Sequence, residues 1–200
     1  MGMSVSSTPL NVAIFVYDQA EVLDFAGPFE VFSTANRLAS PSPFCVFLVS
    51  EAGESITARG GFSVMPKFSF DNHPPVDLLI VVGGVHTAEM NKRNVLNWIS
   101  NTATAASLTA SVCTGVFLLA AAGVVTAQMV TTHWEDIADL RLAYPQLTVK
   151  ENSLFVDAGA IVTSAGISAG IAMSLHLVRR LHSTELALKT ARQMEFDWQP

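Results

Sequence analysis

The stretch between Arg93 and Glu135 contains no Asp, Glu, Lys or Arg residue, and it constrains the fold more than any other feature. Inside it, an apolar run leads into the sequence SVCTG at residues 111–115, and a second apolar run follows. Thr, Ser, Asn and Gly interrupt the stretch too often for a membrane-spanning helix. A strand and the helix after it have this composition when other elements cover both. The stretch therefore predicts a buried strand over residues 108–112, a tight turn, and a helix over residues 114–122.

The same alternation of strand and helix patterns runs along the rest of the chain. Continuous apolar runs at residues 11–17, 44–50 and 77–82 predict three core strands. Strands that alternate with helices indicate an α/β domain with a mostly parallel sheet. We also expect a helix that ends near Leu38 and has Pro28 in its first turn, and a hairpin or edge pair over residues 56–65. The other expected elements are helical stretches over residues 86–105, 133–143 and 167–194, and short strands over residues 129–132, 147–150, 154–156 and 161–163.

The composition limits the possible classes of function. Half of the 200 residues are hydrophobic and 14% are charged, which predicts one domain with a large core. We expect residues 1–10 to be a flexible start and residues 11–200 to form that domain. The net charge is −6 and the 11 Lys and Arg residues form no run, which argues against nucleic acid as a partner. The first residues lack a signal-peptide pattern, and we expect no membrane association.

The cysteine and histidine residues favour a reduced protein without a bound metal. Cys45 and Cys113 are too few for a disulfide scaffold and lack metal-ligand spacing. Two reduced thiols suit the cytoplasm, where we expect the protein to be found. The five His residues show no ligand spacing either, and we expect no metal and no organic cofactor.

Residues of three chemical types follow the predicted core strands. Asp24 comes after the first strand, Gly83 and Gly84 follow the third, and Cys113 follows the strand at residues 108–112. Ligands of open parallel sheets bind beyond the carboxyl ends of the strands. A carboxylate, a thiol and a set of backbone N–H donors at that edge predict a site for covalent catalysis.

Each candidate residue also has a simpler interpretation. A cysteine at the start of a helix favours the reactive thiolate, but free cysteines are also common as small buried apolar residues. Asp24 and Thr114 each precede or begin a helical pattern, where they could act as caps instead of contacting a substrate. His133 could be a helix residue with a structural hydrogen bond.

Five segments together resemble one known group of proteins. The chain is similar to the DJ-1/PfpI superfamily, with its class I glutamine amidotransferase-like fold, over about residues 11–197. The resemblance implies a flavodoxin-like three-layer sandwich with a mostly parallel central sheet, a nucleophile-elbow cysteine at position 113, and a homodimer. Three aromatic residues near the site would support a dimer interface if they are exposed, although they could equally belong to the core. They are Phe25, Phe29 and Phe32. The segments that carry the resemblance are residues 22–31, 77–84, 111–115, 131–135 and 163–171.

Two details narrow the resemblance within the superfamily. Peptidase-like members have His directly after the cysteine, whereas this chain has Thr114, which makes peptidase activity doubtful. Isonitrile hydratases have the Cys-Thr pair and an aspartate that matches Asp24, and they are the most similar group together with the N-terminal domains of AraC-type regulators. Val82 departs from the Pro that many relatives have before the glycine pair. Since residue 200 leaves no room for a helix-turn-helix domain, we expect a stand-alone protein.

The resemblance implies a specific reaction on a small-molecule substrate. Cys113 would attack the terminal carbon of an isonitrile to form a thioimidate, and water would then release an N-substituted formamide. Asp24 would act as the acid and base, with Thr114 and more weakly His133 assisting. The Thr114 hydroxyl and the backbone N–H groups near Gly84 and Thr114 would polarise the intermediate. The substrate-binding residues would be Gly83, Gly84 and Val85. The alternative is a redox-sensing, chaperone-like or ligand-sensing regulatory protein of the same superfamily.

Overall fold

A six-stranded sheet forms the centre of the protein. The computed structural model describes residues 8–200. In chain order its strands are β1 (Leu10–Phe15), β2 (Phe44–Val49), β3 (Ile56–Thr57), β4 (Ser63–Val64), β5 (Leu78–Val81), β6 (Leu108–Ser111), β7 (Met129–Val130), β8 (Thr148–Val149), β9 (Phe155–Asp157) and β10 (Ile161–Ser164). The central sheet has the order β2-β1-β5-β6-β10-β9, while β3-β4 and β7-β8 form separate two-stranded pairs.

The central sheet is parallel apart from one edge. β2, β1, β5, β6 and β10 all run in the same direction, and β9 pairs with β10 in the antiparallel direction. Every residue of β5 and β6 is buried, because helices cover both faces of the sheet at its middle. This burial accounts for the continuous apolar runs in the sequence and confirms the α/β class with a mostly parallel sheet.

Helices cover the sheet in two layers. They are α1 (Val22–Leu38), α2 (Arg93–Ala105), α3 (Gly115–Ala121), α4 (Ile137–Ala143), α5 (Ala169–Leu181) and α6 (Thr184–Gln193). α1 packs against α5 and α6, whereas α2 packs against α3. The connection from β1 to β2 and the connection from β5 to β6 progress toward opposite edges, so right-handed crossovers place α1 and α2 on opposite faces. The result is the expected three-layer sandwich.

Some predicted boundaries were wrong for identifiable reasons. α1 begins at Val22, so Pro28 lies inside the helix and not in its first turn. Phe25 and Phe32 are buried and Phe29 is partly buried in the core, so these aromatic residues give no support for a dimer interface. The predicted flexible start lies outside the described residues up to residue 7, and Leu10 already belongs to β1.

Two predicted helical stretches are interrupted at their starts, and a third consists of two helices. Short 3-10 turns at Glu89–Asn91 and Trp134–Asp136 precede α2 and α4. The last stretch divides at Ser183, whose hydroxyl accepts a hydrogen bond from the Leu186 amide and caps α6. Within residues 8–200, no helix combines the length and apolar character needed to cross a bilayer.

Gly115 sets how closely α3 can approach the sheet. A Cβ atom at this position would collide with the Val81 carbonyl group of β5, which is backbone and cannot rotate away. We expect Gly115→Ala to lower the free energy of unfolding by more than about 2 kcal/mol, although alanine favours helix. The matched control is Gly27→Ala in α1, where the added Cβ meets only the flexible Ile171 side chain at 3.0 Å. Equal denaturant midpoints for the two variants would contradict this account.

Candidate active site

The site lies where the strand order reverses. β1 is followed in the chain by its neighbour on one side, β2, while β5 and β6 extend the sheet on the other side. At the carboxyl ends of these strands a crevice forms, because the connections leave on opposite faces. The turns after β1, β5, β6 and β10 meet there, and they bring together Asp24, Gly83, Cys113 and Ile167.

Cys113 occupies a strained turn between β6 and α3. Its φ is 56°, a left-handed conformation that non-glycine residues seldom adopt. Its amide donates to the carbonyl groups of Ser164 and Ala165 at 3.2 and 3.3 Å, and its carbonyl accepts the Thr132 hydroxyl at 2.9 Å. These bonds hold the turn from the side of β10. The residue is buried, with 7% of its surface exposed.

Asp24 does not cap a helix. It lies in the first turn of α1 after the N-cap residue Glu21, and it is completely buried. Its Oδ2 accepts a hydrogen bond of 3.0 Å from the Gly83 amide, while Oδ1 has no partner with hydrogen-bonding geometry. A buried carboxyl oxygen without a partner is costly in a folded protein, which is typical of a group kept for function.

Thr114 holds the glycine turn instead of capping α3. Its hydroxyl accepts a hydrogen bond from the Gly84 amide at 3.0 Å and donates to the Gly84 carbonyl at 3.1 Å. Gly83 packs so closely that a Cβ would lie 2.6 Å from the Thr114 amide nitrogen. Gly84 has a φ of 133°, which only glycine adopts without strain. The glycine pair is therefore required by close packing.

The amides that were expected to bind substrate are already occupied. The Gly83 amide donates to Asp24, the Gly84 amide donates to Thr114, and the Val85 amide donates to the Gln19 carbonyl at 3.1 Å. The prediction that this segment supplies free N–H donors therefore needs correction. The amides that face the sulfur are those of Thr114 and Ile167.

Burial raises the pKa of both titratable groups at the site. The pKa of Asp24 rises to about 7, mainly through desolvation and then through the charge of Glu21, while the Gly83 hydrogen bond and the nearby Ile167 amide and Cys113 thiol lower it. The pKa of Cys113 rises to about 12, through desolvation and then the Asp24 charge. The expected thiolate is therefore wrong for the resting protein, since burial outweighs the dipole of the short helix α3.

Ile167 is the site residue that sequence reasoning missed. Its backbone N–H faces both the Asp24 carboxyl and the Cys113 sulfur, and lowers the pKa of each. Its φ of 54° is unusual for a β-branched residue, and it turns the chain between β10 and α5. The available signal was the small-residue turn at residues 164–166, which follows a parallel strand at the edge where ligands bind.

His133 lies at the border of the site. Its ring packs against Gly166, where a Cβ would collide with it, and its Nδ1 is 3.4 Å from the Asp136 carboxylate. Within the described chain it forms no hydrogen bond or ion pair with Asp24 or Cys113. Its part in a reaction stays a prediction. In residues 8–200, no three His, Cys, Asp or Glu side chains are grouped to share a metal ion.

Replacement of Asp24 by asparagine tests the strain at the site. The folded-state pKa lies above the ordinary value, so Asp24 costs stability once pH rises from about 4 through 7 and the buried group ionises. Asparagine can still accept from the Gly83 amide and never ionises. We expect Asp24→Asn to raise the free energy of unfolding by up to about 4 kcal/mol at pH 8 and by much less at pH 5.

The measurement is chemical denaturation of both proteins at both pH values, with the exposed-loop variant Asp71→Asn as the control for loss of charge. Destabilisation by Asp24→Asn of the same size at both pH values would contradict the raised pKa.

Known proteins are similar to this chain over most of its length. The profile of the DJ-1/PfpI family matches residues 10–180. The HTH-type transcriptional regulator GbdR of Pseudomonas aeruginosa strain UCBPP-PA14 is 28% identical over 179 residues, and these cover 90% of this chain and 48% of GbdR. The chain thus spans about half the length of that regulator. Isonitrile hydratase of Pseudomonas putida is 31% identical over 188 residues, which cover 94% of this chain and 78% of that enzyme.

The solved structures agree on the fold. A crystal structure of a THiJ/PfpI family protein from Pseudomonas syringae superimposes with a TM-score of 0.85 at 23% identity, covering 100% of this chain and 82% of the other. The family match extends over most of the sequence and includes the segments that position Asp24, Cys113 and Ile167. This chain belongs to the DJ-1/PfpI family.

Proposed function

We propose that the protein is a cysteine-dependent hydratase that converts a small isonitrile and water into an N-substituted formamide. The observation that carries the proposal is the buried pair of Asp24 and Cys113, in which the carboxyl titrates near neutral pH and the thiol stays protonated. The 31% identity to an isonitrile hydratase supports the same chemistry.

An isonitrile suits this pair for a chemical reason. Its terminal carbon must gain both a proton and a nucleophile, and both come from neighbouring groups if a thiol stands beside an acid–base group. The isonitrile group is also slim and linear, which suits a nucleophile in a residue that is only 7% exposed. A bulkier electrophile, such as a peptide carbonyl, would need more space around the sulfur.

In the first step the Asp24 carboxylate accepts the thiol proton as the Cys113 sulfur bonds to the terminal carbon. Asp24 then delivers that proton to the same carbon. The carbon gains one bond to sulfur and one to hydrogen, and the product is a thioimidate with no net charge. The Thr114 and Ile167 amides, which face the sulfur, stabilise the negative charge that passes through it.

In the second step water adds to the C=N bond of the thioimidate. Asp24 takes a proton from the water and passes it to the nitrogen, so that a tetrahedral adduct with a hydroxyl group on the carbon forms. As the C–S bond breaks, Asp24 takes the hydroxyl proton and passes it to the sulfur, and the formamide leaves with a new C=O bond. General acid–base help of this kind is worth about 100 to 10,000-fold in rate.

In the reactive form, Asp24 and Cys113 together carry one proton, which is on the thiol while Asp24 is ionised. Below about pH 7 both groups are protonated and no base can take the thiol proton. We therefore expect kcat/KM to rise with pH through about 7 and then to reach a plateau, as measured by formamide production from methyl isonitrile. Because the two groups interact, the midpoint belongs to the pair. A rate that falls as pH rises through 7 would contradict the mechanism.

Cysteine variants test the nucleophile. We expect Cys113→Ala and Cys113→Ser to lose at least about 1,000-fold in formamide production, since alanine has no nucleophile and a serine hydroxyl has a far higher pKa. Cys45→Ala is the matched control, because Cys45 lies in β2 as a free thiol away from the site, and it should keep wild-type activity. Absence of turnover by the wild type, or equal turnover by Cys113→Ala, would refute the proposal.

A second candidate is a ligand-sensing domain, and the 28% identity to the regulator GbdR favours it. Such a domain would bind an isonitrile or formamide without consuming it, so turnover distinguishes the two. The raised thiol pKa argues against the redox-sensing alternative, because thiolates are the form that peroxide oxidises. The homodimer and the cytoplasmic location stay predictions.

A further inference from the structure

A groove of about 830 Å³ opens beside the Asp24–Cys113 pair. Thr132 and Ile167 belong both to the groove and to the support of the pair. The Thr132 hydroxyl donates to the Cys113 carbonyl, and the Ile167 amide faces the Cys113 sulfur and the Asp24 carboxyl. One end of the groove therefore lies next to the residues that contact the reacting groups.

The groove exposes three large apolar side chains. Trp134 is 75% exposed, Leu154 is 64% exposed and Ile167 is 39% exposed, and all three line it. Apolar side chains grouped in one concave surface are typical of a ligand site. The indole ring of Trp134 offers a flat face on which an aromatic ring can stack.

The charges of the groove restrict what it can hold. The only guanidinium in its lining, that of Arg141, pairs with the Glu151 carboxylate and also donates to the Val149 carbonyl at 2.9 Å. Glu135 adds a further carboxylate to the lining. Since the one cation already has partners and the carboxylates outnumber it, the groove disfavours an anionic ligand.

We propose that this groove binds the group on the isonitrile nitrogen, and that this group is a neutral aromatic substituent. The assignment rests on the proposed hydratase function. The slim isonitrile end lies at Cys113, while the substituent lies in the groove against Trp134.

Substrate pairs test the assignment with the full-length protein. We expect Trp134→Ala to lower kcat/KM for benzyl isonitrile about tenfold and to leave kcat/KM for methyl isonitrile within about twofold, because methyl isonitrile does not reach the ring. Trp134→Phe should recover most of the loss. The control is Leu142→Ala, since Leu142 is 83% exposed on α4 but does not line the groove, and it should change neither value. An equal effect of Trp134→Ala on both substrates, or none on either, would overturn the assignment.

A carboxylate on the substituent tests the charge argument. We expect 4-carboxybenzyl isonitrile to have a kcat/KM about tenfold or more below that of benzyl isonitrile. A carboxylated substrate that equals or exceeds benzyl isonitrile would overturn the proposal for a neutral substituent.

Binding without chemistry separates this inference from the proposed function. Calorimetry with N-benzylformamide as the probe and Cys113→Ala as the protein should show binding that the added Trp134→Ala substitution weakens about tenfold. If the wild type consumes no isonitrile while this Trp134-dependent binding persists, the hydratase proposal fails and the groove assignment stands. If the wild type consumes methyl isonitrile and N-benzylformamide does not bind, the groove assignment fails and the hydratase proposal stands.

Discussion

Burial of the Asp24 carboxyl beside the Cys113 thiol is the constraint on which the site depends. Removal of a carboxylate from water is costly, and here one oxygen accepts the Gly83 amide while the other has no hydrogen-bonding partner. The parallel sheet makes the arrangement possible, because four strands end at the same edge and their turns exclude water from it. Burial raises the carboxyl pKa to about 7. A carboxyl with this pKa can act as both an acid and a base near neutral pH.

The neutral thiol changes how the site should be understood. A permanently ionised cysteine would react with any accessible oxidant or electrophile, whereas a buried neutral thiol reacts only when a neighbouring base removes its proton. In the proposed mechanism Asp24 is that base, and its charge also raises the thiol pKa. Under this proposal the same contact keeps the sulfur inactive at rest and prepares it for a substrate that accepts a proton and a nucleophile at one atom.

Features set by local pattern could be predicted from the sequence, and features set by packing could not. The core strands were evident because strands buried on both faces need continuous apolar residues, and the turn between β6 and α3 was evident because small residues mark it. The thiol pKa was missed because burial depends on turns that are distant in sequence. Ile167 was missed because its positive φ opposes the preference of a β-branched side chain. The occupied amide of Gly84 was hidden because Thr114, thirty positions away, contacts it.

The charge state of Asp24 gives the most direct test of the central claim. Its carboxyl carbon, labelled with ¹³C, should titrate near pH 7 in the wild type, and the midpoint should not fall in Cys113→Ala, because the nearby thiol favours the ionised form. A midpoint near 4 in the wild-type protein would mean that the carboxyl is well solvated, and it would contradict the shared-proton account of this site.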